Sequence, residues 1–281
     1  RHDPGWIFDH GAPAFSAKDA RFRQSVLNWE QSKIVSKWMP RQARWVDGSL
    51  VARTEVSEQW IGTPRMSAIA EYLSDGLTLR TQCQISELTF HRRWSLFSQS
   101  EAIGTFDNVV LTCPLPQIKA ILPNELKSSL PSTEHIPQWA VMVRFMQPID
   151  IEWDCIFFQH PILSSAIRES SKGARPYGEC WTLLTNSKWS RHHLERTRDE
   201  VQPLILNAFI DALGITTPVD HHQTHRWRYA QPTPLRLQEE ALHWDKHNLT
   251  FAGDSFSRGG IEGAWCSGAA AAGYLLRKYG H

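Results

Sequence analysis

The segment that most constrains the fold lies near the end of the chain, where Leu249-Thr250-Phe251 runs unbroken into Ala252-Gly253-Asp254. A short apolar run closed by a glycine and an acid reads as a buried strand that delivers a carboxylate at its C-terminal end. The residues that follow, Ser255 to Ile261 and then Glu262-Gly263-Ala264-Trp265-Cys266-Ser267-Gly268, open a helix with side chains small enough for a ligand to reach the backbone. Such a helix start offers N–H donors and the positive end of a macrodipole to an anion or an electron-rich oxygen. Asp254 would accept hydrogen bonds from ligand hydroxyls. On these grounds the unit is a nucleotide-like or polyol-like site at a strand's carboxyl end. The same residues also fit a tight strand-to-helix packing turn, with Gly263, Gly268 and Gly273 needed for close approach.

The rest of the chain supplies both helical and strand periods. Phe22, Val26 and Trp29 fall on one face of a helix predicted from Asp19 to about Trp38. Trp38, Trp45 and Trp60 surround the turn dipeptide Asp47-Gly48, which predicts a hairpin. Pro64 opens a short helix carrying Met66, Ile69, Ala70 and Leu73, and Gly76 ends it. A two-residue period then predicts a strand from Leu77 through Ile85 and a meander beyond it, whose last member, Phe106 to Cys113, reads as a central strand covered on both faces. Further strands are expected at 139–146, 155–160, 179–185, 219–229 and 249–253. One long helix is expected from Arg191 to Leu213, capped by Ser190, kinked at Pro203 and ended by Gly214. The pattern implies an α/β or mixed α+β chain of two interleaved lobes.

Composition removes several classes of function. Thirty basic residues against 29 acidic ones leave a formal charge of +1, too little to gather nucleic acid or anionic lipid. The longest small and apolar tract, Gly268 to Leu276, is far short of the roughly 20 residues that cross a bilayer, so no membrane partner is expected. Five scattered cysteines without a C-x-x-C argue against a disulfide framework or thiolate zinc site and for a reducing cytosol. His221 and His225 share a strand face, but no nearby carboxylate or cysteine completes a metal site, and none is expected. Gly253-Asp254-Ser255-Phe256-Ser257 matches the start of a G-D-S esterase motif with Ser255 as nucleophile, a remote alternative because only a short tail follows to supply a triad.

Five segments, in order, resemble the FAD-dependent amine-oxidase-like family and in particular its bacterial renalase-like branch. Phe251-Ala252-Gly253-Asp254 with Glu262 to Gly268 is similar to the family's C-terminal flavin motif. Phe8 to Phe22 resembles D-x-G-A-Q-Y-F-T-A-R-D-x-R-F, and Ile61 to Ser67 resembles V-G-x-P-G-M-S. Phe106 to Pro114 resembles F-D-x-V-V-L-x-x-P, and His225 to Ala230 resembles R-W-R-Y-A. The resemblance covers nearly the whole chain. It implies a two-lobed FAD/NAD(P)-binding oxidoreductase fold with FAD as cofactor, a discontinuous cofactor lobe (1–18, 61–114 and 245–281), a helical, Trp-rich excursion (19–60) and a substrate lobe on a mixed or antiparallel sheet (115–244).

Residue by residue, the resemblance puts Asp254 at the ribityl or pyrophosphate region and the amides of Gly263, Ala264 and Trp265 at the isoalloxazine carbonyl edge. It puts Ile85 where a strand backbone holds adenine, and Gly11, Ala12 and Met66 along the flavin's faces. Phe15 and Arg175 are expected to face substrate, the arginine because 171–175 is similar to an S-K-P-G-R loop, and Trp181 and Trp227 are candidate walls of an aromatic slot. The implied reaction takes hydride from a small-molecule substrate, dihydronicotinamide-like and so NAD(P)-derived, or an amine, and passes electrons to O2. A dihydronicotinamide donor needs no protein acid or base, so no catalytic residue is assigned.

The departures point the other way. The family's G-x-G-x-x-G, the acidic residue after it and the Gly-Gly-Arg segment do not occur here. Arg1 is therefore expected to fall just downstream of a βαβ unit of about 30 or more residues, and the chain as given to bind FAD poorly. Pro13 and Ala14 stand for a Gln-Tyr pair beside the flavin, and Arg65 for a loop glycine. The competing expectation is a non-catalytic remnant or binding module.

Overall fold

The computed structural model describes residues 2–3, 5–54, 57–235, 237 and 239–280, so Arg1 and His281, the two ends invoked above, lie outside the described residues. The chain divides into two compact units, Arg1–Asp75 with Ile136–Ala230, and Gly76–His135 with Gln231–His281.

In the first unit, strands β1 (His2–Asp3) and β2 (Trp6–Ile7) pair antiparallel and helix α1 (Ala20–Gln31) follows. Asp19 caps α1 by accepting the N–H groups of Arg21 and Phe22, and Phe22, Val26 and Trp29 form its buried face. The helix stops seven residues earlier than expected. Lys33 takes a left-handed φ of 60°, and Ile34-Val35 leads into β3 (Val35–Trp38), which suits a β-branched residue better than a helix does. Strands β4 (Gln42–Val46) and β5 (Ser49–Ala52) form the hairpin at Asp47-Gly48, where both turn residues have positive φ. Strand β6 (Gln59–Gly62) pairs with β3 and precedes helix α2 (Ala68–Leu73), in which Ala68 and Ile69 are buried but Leu73 is exposed.

The large sheet of this unit adds β11 (His135–Phe145), β12 (Cys155–Phe158), β13 (Leu163–Arg168), β14 (Glu179–Thr185) and β15 (Val219–Pro232), in the order β15-β11-β14-β13-β12-β4-β5. β12 runs parallel to β4, so 42–52 belongs to this sheet and is not a separate excursion. The expected helix from Arg191 to Leu213 is two helices, α5 (Ser187–His192) and α6 (Arg198–Leu213). Thr197 and Glu200 form a reciprocal capping box that starts α6 afresh, Ser190 is buried inside α5 and caps nothing, and Gly214 closes α6 at a φ of 63°. Because strand side chains alternate, Trp139, Val141, Val143, Ile156, Trp181 and Leu183 face Val201, Ile205 and Phe209 of α6 in one core. The opposite face presents Ala140, Cys155, Ile167 and Leu184.

The second unit begins without the strand expected at 77–85. Leu77 and Leu79 are more than half exposed, and only β7 (Glu87–His91), β8 (Arg93–Ser98) and β9 (Glu101–Phe106) make the meander. An alternating pattern without a neighbouring strand to pair has no ladder to hold it. Strand β10 (Val109–Leu111) runs parallel to β17 (Leu249–Phe251), which also pairs with β16 (Leu242–Trp244). β10 is thus an edge strand of this sheet among the described residues, not a central one: Val109 and Leu111 are buried while Val110 is 41% exposed. Helices α3 (Leu115–Ile121) and α4 (Asn124–Lys127) pack Leu115, Ile118 and Leu126 onto it, and α7 (Gly260–Tyr279) ends the chain.

Candidate functional site

In the second unit the β10–β17 register, Leu111 opposite Phe251, carries both strands to the same end, and there the chain turns at Gly253. Gly253 has φ 139°, its N–H donates to Ser267 Oγ at 2.9 Å, and Asp254 follows in a single 3-10 turn. Gly259 and Gly260, at φ 80° and 65°, then reverse the chain into α7. The Asp254 carbonyl accepts from Gly259 N–H at 3.2 Å, which sets the carboxylate and the start of α7 side by side. Burial pushes the Asp254 carboxyl above the usual range, while the Ser255 N–H and nearby His135 pull the other way. A half-buried acid beside a glycine-lined helix start suits a ligand hydroxyl of the kind a sugar or polyol carries.

In the first unit four charged side chains are closed off from solvent. Lys172 Nζ lies 3.0 Å from Asp9 Oδ2 and 2.6 Å from Glu169 Oε2, and Arg175 Nη2 lies 2.5 Å from Asp9 Oδ2. Glu169 Oε1 also accepts from Thr182 Oγ1 at 2.5 Å and from Asp9 N–H at 3.2 Å. Two acids and two bases balance, and burial alone would raise both carboxyls. Lys172 and Arg175 outweigh it at Asp9 and hold that group low, whereas burial wins at Glu169 and pushes it up. Asp9 Oδ1 accepts the Met66 N–H at 3.0 Å, and Arg175 donates to the carbonyls of Gly62 and Pro64, so the cluster fixes the 62–66 loop against the 8–12 segment.

Beside this cluster the sheet face turned away from α6 holds a pocket of about 310 Å³. Cys155, Phe157, Ile167 and Leu184 make its apolar floor, Trp38, Pro13 and Ala14 its walls, and Gln42, Gln59, Ser57, Ser165 and Arg53 its polar lining. Burial pushes the Cys155 thiol up to about 12, so it lines the pocket as a protonated, unreactive group.

The sequence pattern of the flavin containing amine oxidoreductases matches residues 45–276. The chain belongs to that family. Mouse (Mus musculus) renalase is 24% identical over 204 residues, covering 66% of this chain and 59% of renalase. Among solved structures, a proposed protoporphyrinogen oxidase from Exiguobacterium sp. 255-15 superposes with a TM-score of 0.62 at 14% identity, over 78% of this chain and 52% of that one. Cyclohexylamine oxidase from Brevibacterium oxydans IH-35A gives 0.57 at 12% identity, over 79% and 55%. The chain thus spans little more than half the length of these relatives, and the structural matches bear on the fold alone.

Within this flavin amine oxidoreductase chain the predicted residues fall in both units. Gly11, Ala12 and Met66 lie together in the first. Trp227 Nε1 donates to the His10 carbonyl at 3.1 Å, and a Cβ on Gly11 would stand 3.1 Å from the Trp227 ring. Asp254, Gly263, Ala264, Trp265 and Ile85 lie in the second. Gly263 N–H donates to the Gly259 carbonyl, and Ala264 and Trp265 sit deeper in α7, so these three amides serve the helix instead of standing open at its start. Ile85 precedes β7 and packs on the Leu88–Trp94 cluster, outside any strand.

Three expected substrate-facing residues face protein. Phe15 is bridged to Trp60 through both backbone bonds and packs on Phe22. Trp181 is fully enclosed against Phe209, with its Nε1 donating to Glu179 at 2.6 Å. Arg175 is spent on Asp9 and the 62–64 carbonyls. Ser255 is 3% exposed, which removes the exposed serine an esterase needs. Arg65, the departure from a loop glycine, is held by Ser67 and Glu71 at about the start of α2. Among the described residues no group of three or more His, Cys, Asp or Glu could hold a metal ion, and no helix is long and apolar enough to cross a membrane. The sequence does not reveal the charged cluster because Asp9 stands 160 or more positions from its partners; Glu169, Lys172 and Arg175, three residues apart in and before the S-K-x-x-R loop at 171–175, are the one local sign.

Proposed function

We propose that the protein is an FAD-dependent oxidoreductase that takes hydride from a small reduced substrate and passes electrons to O2. The observation that supports it most is the Asp254 turn at the start of α7, at the carboxyl end of the parallel β10–β17 pair, in a chain whose family carries flavin. Asp254 would bind sugar hydroxyls of FAD, and the start of α7 would offer positive potential to its electron-rich groups. Within the first unit, the Asp9–Lys172–Glu169–Arg175 cluster holds the segment of Gly11, Ala12 and Met66 rigid. When bound, FAD would supply a hydride acceptor, and the chain's own task is to orient the donor carbon and exclude water. The unreactive Cys155 and the absence of any acid among the described pocket residues agree with a reaction that needs no protein base. We also place the protein in a reducing compartment, on its scattered cysteines. Anaerobic mixing of the flavin-loaded protein with dihydronicotinamides and with primary amines tests the reaction. Bleaching of the flavin by one of these classes supports it, and an unbleached flavin with both overturns it.

A further inference from the structure

Arg53 brings the one formal charge among the described residues that line the 310 Å³ pocket. Its guanidinium carbon lies over the Phe157 ring, 4.6 Å from the centroid, and Nη1 donates to Gln42 Oε1 at 3.1 Å. No carboxylate among the described residues pairs with it. The acids around it are engaged elsewhere: Asp154 with Arg41 and Arg168, and Glu58 with Arg23 and Lys37. A guanidinium held over an aromatic ring by a cation–π contact and left with donors to spare is preorganised for the two oxygens of an oxyanion. The floor of Cys155, Phe157, Ile167 and Leu184, walled by Trp38, is apolar and favours a flat ring over a chain of polar groups. An alkylammonium would meet a like charge in the pocket, with no acid among the described lining residues to offset it.

We propose that this pocket binds a small planar ligand bearing a carboxylate or phosphate, held by Arg53, and that it rejects alkylammonium ions. That this ligand is the substrate rests on the flavin reading above; that the pocket binds it does not. The volume, at the low end of ligand pockets, limits the part that enters to about one substituted ring.

Calorimetry on the protein made from its complete coding sequence, with benzoate, phenyl phosphate, benzamide and benzylamine as probes, tests this. Benzoate or phenyl phosphate is expected to bind about tenfold or more tighter than benzamide, the difference due to one charge-assisted contact, and benzylamine more weakly still. The better of the two anions identifies the oxyanion. Arg53→Gln should abolish the preference for an anion over benzamide, and Arg53→Lys, which keeps the charge but not the fork, should retain part of it. Should Arg53→Gln fail to fold by thermal unfolding, Phe157→Leu, which removes the ring beneath the guanidinium, serves in its place and should weaken benzoate more than benzamide. Benzylamine binding as tightly as benzoate, no binding of either anion, or an anion preference unchanged in Arg53→Gln would overturn the proposal. Flavin-free protein that still selects benzoate through Arg53 upholds the pocket while defeating the flavin reading, and yellow protein indifferent to Arg53 does the reverse.

Discussion

At Gly62 a single methyl group would stand 2.7 Å from Met66 Cα and closer still to the Arg65 carbonyl oxygen, both backbone atoms that cannot swing aside. Gly62→Ala should therefore cost on the order of 1–3 kcal/mol in urea unfolding, far more than an exposed glycine change. The buried cluster sets a larger penalty. Lys172→Met would leave Asp9 and Glu169 with Arg175 as their remaining cation, and about 3–5 kcal/mol of stability should go, because uncompensated buried charge is costly. Asp254 behaves in the opposite sense. Its folded carboxyl titrates above its unfolded value, so what it contributes to stability is present below that unfolded value and lost as pH rises through the folded one. Flavin-free Asp254→Asn should consequently melt higher than the parent at pH 7, and the gain should vanish in acid, where the parent carboxyl is protonated too. A melting temperature lowered at pH 7 would contradict this. Asp254 is legible because a strand, a glycine and an acid are adjacent in sequence; Glu169 and Lys172 are close neighbours as well, but only the fold brings Asp9 to them across 160 residues.

The elements show the same division between local and distant causes. The buried stripe of α6, Val201, Ile205 and Phe209, follows from helical period, and Phe209→Ala should cost about 3–5 kcal/mol by emptying the space between Trp181, Phe145 and Phe158. Its start does not follow from the period, which runs on from α5, but from the capping box of Thr197-Arg198-Asp199-Glu200; Thr197→Ala should cost about 1 kcal/mol and shorten the helix by circular dichroism. Leu77 to Ile85 alternates as a strand should, yet alternation describes a face and not a partner, and none is paired there. Likewise Val109-Val110-Leu111 is continuously apolar, but whether such a run lies inside a sheet or at its edge depends on strands elsewhere in the chain.

For the whole molecule, the order of five short segments carried the family, and the family sequence pattern over 45–276 agrees with it. The boundaries between units were less accessible, because β4 joins β12 across more than a hundred residues and draws the N-terminal hairpin into the large sheet. The account's central claim is that the Asp254 turn at the start of α7 holds a flavin. Its most direct test is the flavin released per polypeptide from protein purified from the complete coding sequence, compared with its Asp254→Ala variant. The account predicts yellow protein with flavin approaching one per chain and a marked loss in the variant at unchanged fold. Colourless protein that takes up no FAD on titration, or a variant that retains its full flavin content, would contradict it.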